Sequence, residues 1–156
     1  RFGGTATIGT DHIDLDYCRR RGIAVHNAPG CNAPAVAQWV LSTIGHWMQR
    51  HGITHASTLT LGIVGVGHVG SIVARWARAL GLKVVLNDPP LGMHDSVEGC
   101  DIITYHTPLT HGGEYPTWHL CDEALLARAS HCRLIVNDVL QYLYRLVACL
   151  LTRYLG

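Results

Sequence analysis

Three glycines and one acid form the clearest chemical pattern in this chain. Gly65, Gly67 and Gly70 make G-x-G-x-x-G in "GIVGVGHVG", after a β-prone run and at the opening of a helical one. The first glycine permits a tight turn and the second lets a pyrophosphate approach the backbone. The third allows close packing of helix on strand, and the helix start adds free N–H groups and a positive dipole. His68 and Val69 lie inside the same turn. Asp88 follows Gly70 by eighteen residues, at the tip of the next predicted strand, where a carboxylate accepts hydrogen bonds from ribose hydroxyls. No Arg follows Asp88 to receive a 2′-phosphate, so the pattern favours NAD over NADP. Further on, "HTP" places Thr107 and Pro108 at the end of a third strand, the edge where open α/β sheets bind ligands. Thr107 is there a candidate hydrogen-bond donor to the nicotinamide-side ribose or phosphate, or equally a strand-end hydroxyl that caps a turn.

The elements that must position these residues follow from periodicity. Residues 2–7 read as a strand, 11–22 as a helix that Asp14 opens and Gly22 stops, and 23–27 as a second strand. Pro34 suits the first turn of a long helix to about residue 50. Its apolar stripe of Val36, Trp39, Val40, Thr43, Ile44 and Trp47 predicts a buried connector. Strands at 59–64, 83–87, 101–106 and 132–137 alternate with helices at 69–80 and 121–129, and residues 91–100 read as a polar link. Such alternation predicts a parallel, doubly wound α/β sheet of the Rossmann type.

Composition narrows the function classes. Of 156 residues 48% are hydrophobic and 15% charged, which is the balance of a globular chain. A net charge of +1 argues against nucleic acid or an anionic membrane as partner. The six cysteines have no C-x-x-C pair and sit in apolar or helical runs, which predicts reduced, buried thiols and a cytoplasmic setting. None of the eleven histidines, His46 and His51 included, has convincing metal-ligand spacing. The chain starts directly in a strand-like run, so further sequence is expected upstream.

The stretches "FGGTATIGTDHID", "APGCNA", "GIVGVGHVG", "NDPP" and "DIITYHTPLTHGGEYPTWHLCDEAL" resemble the D-isomer-specific 2-hydroxyacid dehydrogenases. The likeness covers residues 1–137 and is nearest to those members that oxidise 4-phosphoerythronate. It implies a two-domain, dimeric, cytoplasmic enzyme of vitamin B6 cofactor synthesis that passes hydride from a phosphorylated 2-hydroxy acid to NAD. It further implies that residues 1–32 end a flavodoxin-like substrate domain, that 33–57 connect, and that 58–137 are an incomplete NAD-binding Rossmann domain. By position, Asp88 and Thr107 match NAD contacts and Thr7 a substrate contact. Other members, acting on phosphoglycerate, glycerate or formate, are the nearest alternatives within the family.

The resemblance also requires an Arg for the substrate carboxylate, a His as base and a Glu beside that His, all beyond the fourth long strand. Residues 138–156 instead read "DVLQYLYRLVACLLTRYLG". Neither Arg145 nor Arg153 fits, and no His follows His131. His106 and His119 lie nearest the cofactor edge, but neither stands at the motif's position. The expectation is therefore a chain without turnover, or a non-catalytic NAD(H)-binding module or remnant. A truncation or reading-frame change after Asn137 would produce this divergent tail. Ten residues between Pro90 and Asp101 are also too few for a strand and a full crossover helix, so an edge strand is expected to be missing. Exposed sheet edges and an apolar tail predict self-association. Light scattering at high concentration should show oligomers, and a sharp monomer peak would refute this.

Overall fold

The structure, a computed structural model, describes residues 1–5, 10 and 13–137. The expectations for Thr7 and for the tail 138–156 lie outside the described residues. Strand β1 (Phe2–Thr5), helix α1 (Leu15–Arg20) and strand β2 (Ala24–Asn27) form the first unit, with β1 and β2 parallel. α1 is shorter than its sequence pattern. Its start is fixed by Asp14, whose Oδ1 accepts the Tyr17 N–H at 2.7 Å, and Gly22 turns the chain out at φ 62°.

Helix α2 (Ala33–Arg50) has Pro34 in its first turn, as the sequence predicts. Its fully buried stripe is Ala33, Ala37, Val40 and Ile44, spaced four, three and four residues apart. Trp39 was expected on that stripe but is 53% exposed, because it is one position off the line that meets the sheet. Strand β3 (Thr60–Val64), helix α3 (His68–Ala79) and strand β4 (Lys83–Asp88) follow. Next come strand β5 (Met93–His94), strand β6 (Ile102–Tyr105), helix α4 (Glu123–Arg128) and strand β7 (Leu134–Asn137).

The main sheet has the order β5-β4-β3-β6-β7. β4, β3, β6 and β7 are parallel, and β3 lies between β4 and β6. α2 and α3 pack together over Leu61, Ile63, Ile102 and Val136 on one face. The other face carries Val64, Ile103 and Tyr105 under Val97, Cys100, Leu125 and Ala129. Both faces are thus covered, as a doubly wound fold requires. At the opposite ends of the strands, Asp101 ties the sheet together. Its Oδ2 accepts the Thr60 N–H at 2.8 Å, and its carbonyl accepts the Arg133 N–H at 2.8 Å.

The link after β4 departs from expectation in two ways. Gly92, at φ 74°, reverses the chain, and β5 pairs antiparallel with Asn87 and Asp88. The sheet is therefore mixed, and its β4 edge is blunted by a two-residue strand. Nor is the link simply polar. Val97 and Cys100 turn inward and cover the face that a crossover helix would otherwise shield. Gly62 makes room for them, since a Cβ there would lie 2.9 Å from the Val97 side chain and 3.1 Å from Cys100 Sγ. Burial pushes the Cys100 thiol up to about 11, with nearby Cys132 and Asp101 adding to it. Cys31, by contrast, is exposed, which corrects the expectation of uniformly buried thiols.

Among the described residues no helix is long and apolar enough to cross a membrane. Gly62→Ala should destabilise the fold by about 1–3 kcal/mol, because Val97 has to move off a packed face. A thermal-unfolding midpoint equal to that of the native chain would show that the link does not press on β3.

Candidate functional site

The carboxyl ends of β3, β4 and β6 converge on the glycine turn. β3 is a five-residue buried strand, so its last N–H and C=O groups are aimed at the sheet edge. Gly65 follows it at φ 87°, a left-handed conformation that disfavours any residue with a side chain. Space forbids one as well. A Cβ on Gly65 would lie 2.7 Å from Thr107 Cγ2 and 3.0 Å from the His106 carbonyl carbon. The Gly65 N–H donates to the Asn87 carbonyl at 2.9 Å, and the His106 N–H donates to the Val64 carbonyl at 2.8 Å. The turn is therefore stitched to a strand end on either side.

Gly70 is the tightest point. A Cβ there would be 2.0 Å from the Gly65 carbonyl oxygen, so only glycine lets α3 begin this close to β3. His106 also packs here, its Cδ2 3.4 Å from the same position. Gly67 is the opposite case. It caps α3, and a Cβ there would meet nothing within 4 Å. The first helical hydrogen bond runs from the Ser71 N–H to the Gly67 carbonyl, so the turn's preceding N–H groups have no acceptor in the helix. The Cβ position of Gly67 is open among the described residues, beside N–H groups at a positive helix end, an arrangement that suits an anion.

Asp88 ends β4 beside this turn. Its Oδ2 accepts the Val66 N–H at 2.6 Å. This bond was not foreseen from the sequence, where the Asp88 carboxylate was read only as a ribose acceptor. It lies between residues 22 apart, and only the side-by-side pairing of β3 and β4 reveals it. It holds the glycine turn and leaves the second carboxylate oxygen for a ligand hydroxyl. Next to Asp88, the Asn87 side-chain amide donates to the Asp95 carbonyl at 2.8 Å and anchors the β5 reversal.

Thr107 closes the other side. Its methyl lies against Gly65, and its Oγ1 is buried without a hydrogen-bond partner among the described residues. An orphaned buried hydroxyl at a strand end is a costly arrangement in the unliganded protein, and a ligand oxygen there would satisfy it. Pro108 is exposed, and its carbonyl accepts from Thr117 Oγ1. Thr110 and Thr117 then brace the following loop, with the Thr110 N–H donating to Thr117 Oγ1 at 2.7 Å.

His68 opens α3 and lies against Gly30, and Val69 is half-buried behind it. His119 takes φ 61° and stacks on Trp118 at 4.5 Å. Of the residues read from the sequence, Gly65, Gly67, His68, Val69, Gly70, Asp88, Thr107 and Pro108 are brought to one edge of the sheet. Among the described residues, no group of three His, Cys, Asp or Glu side chains could hold a metal ion.

A sequence profile of the D-isomer specific 2-hydroxyacid dehydrogenase catalytic domain matches residues 1–143. The chain belongs to this family. It is 45% identical to the erythronate-4-phosphate dehydrogenase of Bacteroides fragilis strain YCH46 over 147 residues, covering 88% of this chain and 42% of that protein. It is also 45% identical to the enzyme of the same name from Azotobacter vinelandii strain DJ, covering 88% of this chain and 38% of that protein. This chain thus spans about two-fifths of the length of the curated relatives it matches. Among solved structures, it is similar to the D-lactate dehydrogenase of Aquifex aeolicus, a complex with NAD and lactic acid. The TM-score is 0.60 at 26% identity, over 88% of this chain and 49% of that one.

The second and third glycines of the fingerprint should separate by experiment. Gly70→Ala drives a methyl into the Gly65 carbonyl and should lower stability by several kcal/mol, of the order of strained core substitutions. Gly67→Ala fills open space at a negative φ and should leave the unfolding midpoint nearly unchanged. Equal losses from both would contradict this geometry.

Proposed function

We propose that this chain carries the NAD-binding part of an oxidoreductase that acts on 4-phosphoerythronate, oxidising its 2-hydroxyl. The observation that supports the reading best is the convergence of three strand ends on one glycine turn. There the Asp88 carboxylate and the buried, unpartnered Thr107 hydroxyl flank an open helix N-terminus. In this reading the N–H groups of residues 67–70 hold the pyrophosphate, and the second oxygen of Asp88 accepts the adenosine ribose hydroxyls. The Asp88 charge disfavours a 2′-phosphate. Thr107 donates to the nicotinamide-side ribose or phosphate. Pro108 shapes the loop beside it, and Thr7 meets the substrate. Held by these residues, NAD would supply the hydride acceptor, its nicotinamide ring, for oxidation of the carbon that bears the substrate hydroxyl. The protein's own contribution is to fix the ring's distance and orientation and to keep water out.

The same reading divides the chain into the end of a substrate domain at 1–32, a connector at 33–57 and a nucleotide domain at 58–137. It also places the protein in the cytoplasm, in vitamin B6 cofactor synthesis, as a homodimer. The names of the relatives favour 4-phosphoerythronate over phosphoglycerate, glycerate or formate as substrate. The residues needed as carboxylate-binding Arg, base His and partner Glu match no position here. The chain by itself is accordingly expected to hold NAD(H) and not to turn over.

Titration with NADH, followed by nicotinamide fluorescence, tests the nucleotide reading. Native protein should bind saturably, and Asp88→Ala should weaken binding about tenfold or more, the loss expected for a charged hydrogen-bond acceptor. Absence of binding by the native chain would remove the reading. Steady NADH production from 4-phosphoerythronate and NAD by clean protein would remove the expectation of inactivity.

A further inference from the structure

The glycine turn has a third support besides β4 and β6, and it comes from before the connector. Residues 28–33 form a compact turn in which the Cys31 N–H donates to the Ala28 carbonyl at 3.2 Å. In the same turn the Ala33 N–H donates to the Gly30 carbonyl at 3.1 Å. Gly30 sits at its tip with φ 79°. The imidazole of His68, first residue of α3, occupies the space beside its bare Cα. A Cβ on Gly30 would lie 2.9 Å from both Cγ and Nδ1 of that ring and 3.3 Å from Cδ2. These are ring atoms adjoining the side-chain root, so the imidazole cannot give way by a small bend of a flexible tip. It has to rotate as a whole.

A Cβ built on Gly67, one residue earlier, meets nothing within 4 Å beyond its chain neighbours among the described residues. The ring of His68, exposed on its outer side, packs on Gly30 while its backbone opens α3. A methyl on Gly30 displaces this ring, and because the His68 backbone is part of the turn, the displacement acts on the diphosphate seat. We propose that Gly30 is a positioning residue for the nucleotide site: its missing side chain parks the His68 imidazole and so keeps the diphosphate seat in position. The inference rests on the nucleotide reading of the turn and adds to it a residue 35 positions before the fingerprint's first glycine (65 less 30). It also gives the first β-α-β unit a direct mechanical contact with the cofactor site.

A double-mutant cycle read by NADH affinity tests this. Gly30→Ala should weaken NADH binding about tenfold or more in the native background, and by no more than about twofold in a His68→Ala background, where nothing is left to displace. Since φ 79° strains alanine, Gly30→Asn, which tolerates the left-handed region, serves as the second variant, with the same pattern expected. Unfolding midpoints measured without NADH identify which variants are folded. If Gly30 only stabilised the fold, affinity and midpoint would fall together, equally in both backgrounds, and the proposal would fail. It would also fail if Gly30→Asn bound NADH as tightly as the native protein. A native chain that binds no NADH would instead overturn the nucleotide reading, and this proposal with it.

Discussion

At Gly70 the first turn of α3 comes so close to the end of β3 that a Cβ would lie 2.0 Å from the Gly65 carbonyl oxygen. Most other features of the site depend on that approach. It sets where α3 begins, and so where the unbonded N–H groups of the helix start are aimed. It brings the His106 ring and the Thr107 methyl against the turn, and it lets α3 lie flat enough on β3 for Val73, Ala74 and Ala77 to be buried. Small side chains on this face of α3 are the consequence, since a larger residue would lift the helix and open the turn.

Hydrogen bonds then hold what sterics allow. The Val66 N–H is bonded to Asp88, and the Gly65 N–H to the carbonyl of the preceding Asn87. Asp88 thus acts on the protein before it acts on any ligand. Its charge lies at the open end of a parallel strand beside a helix N-terminus, so the field of the helix and the carboxylate support each other. β5 has a related effect at lower cost in sequence. Two residues cover the edge of β4 next to Asp88, and Val97 and Cys100 cover the face that a longer connection would have used.

Much of this was legible in the sequence because it is local. The glycine spacing, the strand before it and the acid eighteen residues after Gly70 each report on a few consecutive residues. Strands and helices fall within a few residues of their predicted limits, since period and capping decide them. Where the reading missed, the deciding contact was distant in sequence. Trp39 has the right periodicity for burial, but the sheet lies against its neighbours Val40 and Ile44. Residues 91–100 are polar on average, and two buried side chains among them serve the core. Nothing near Gly62 indicates that its hydrogen faces Val97.

The sequence by itself therefore determined the Rossmann-type class and the place of the glycine turn between strand and helix, because backbone sterics and helix dipoles act over one or two turns. Only the tertiary structure decided which groups share the site's edge. It showed that Asp88 bonds Val66, that Thr107 Oγ1 is buried without a partner among the described residues, that β5 runs antiparallel, and that Gly30 faces His68. Apart from the β5 pairing, these contacts join strand ends and turns separated by 22 residues or more, and sheet order and packing, rather than local pattern, bring them within reach.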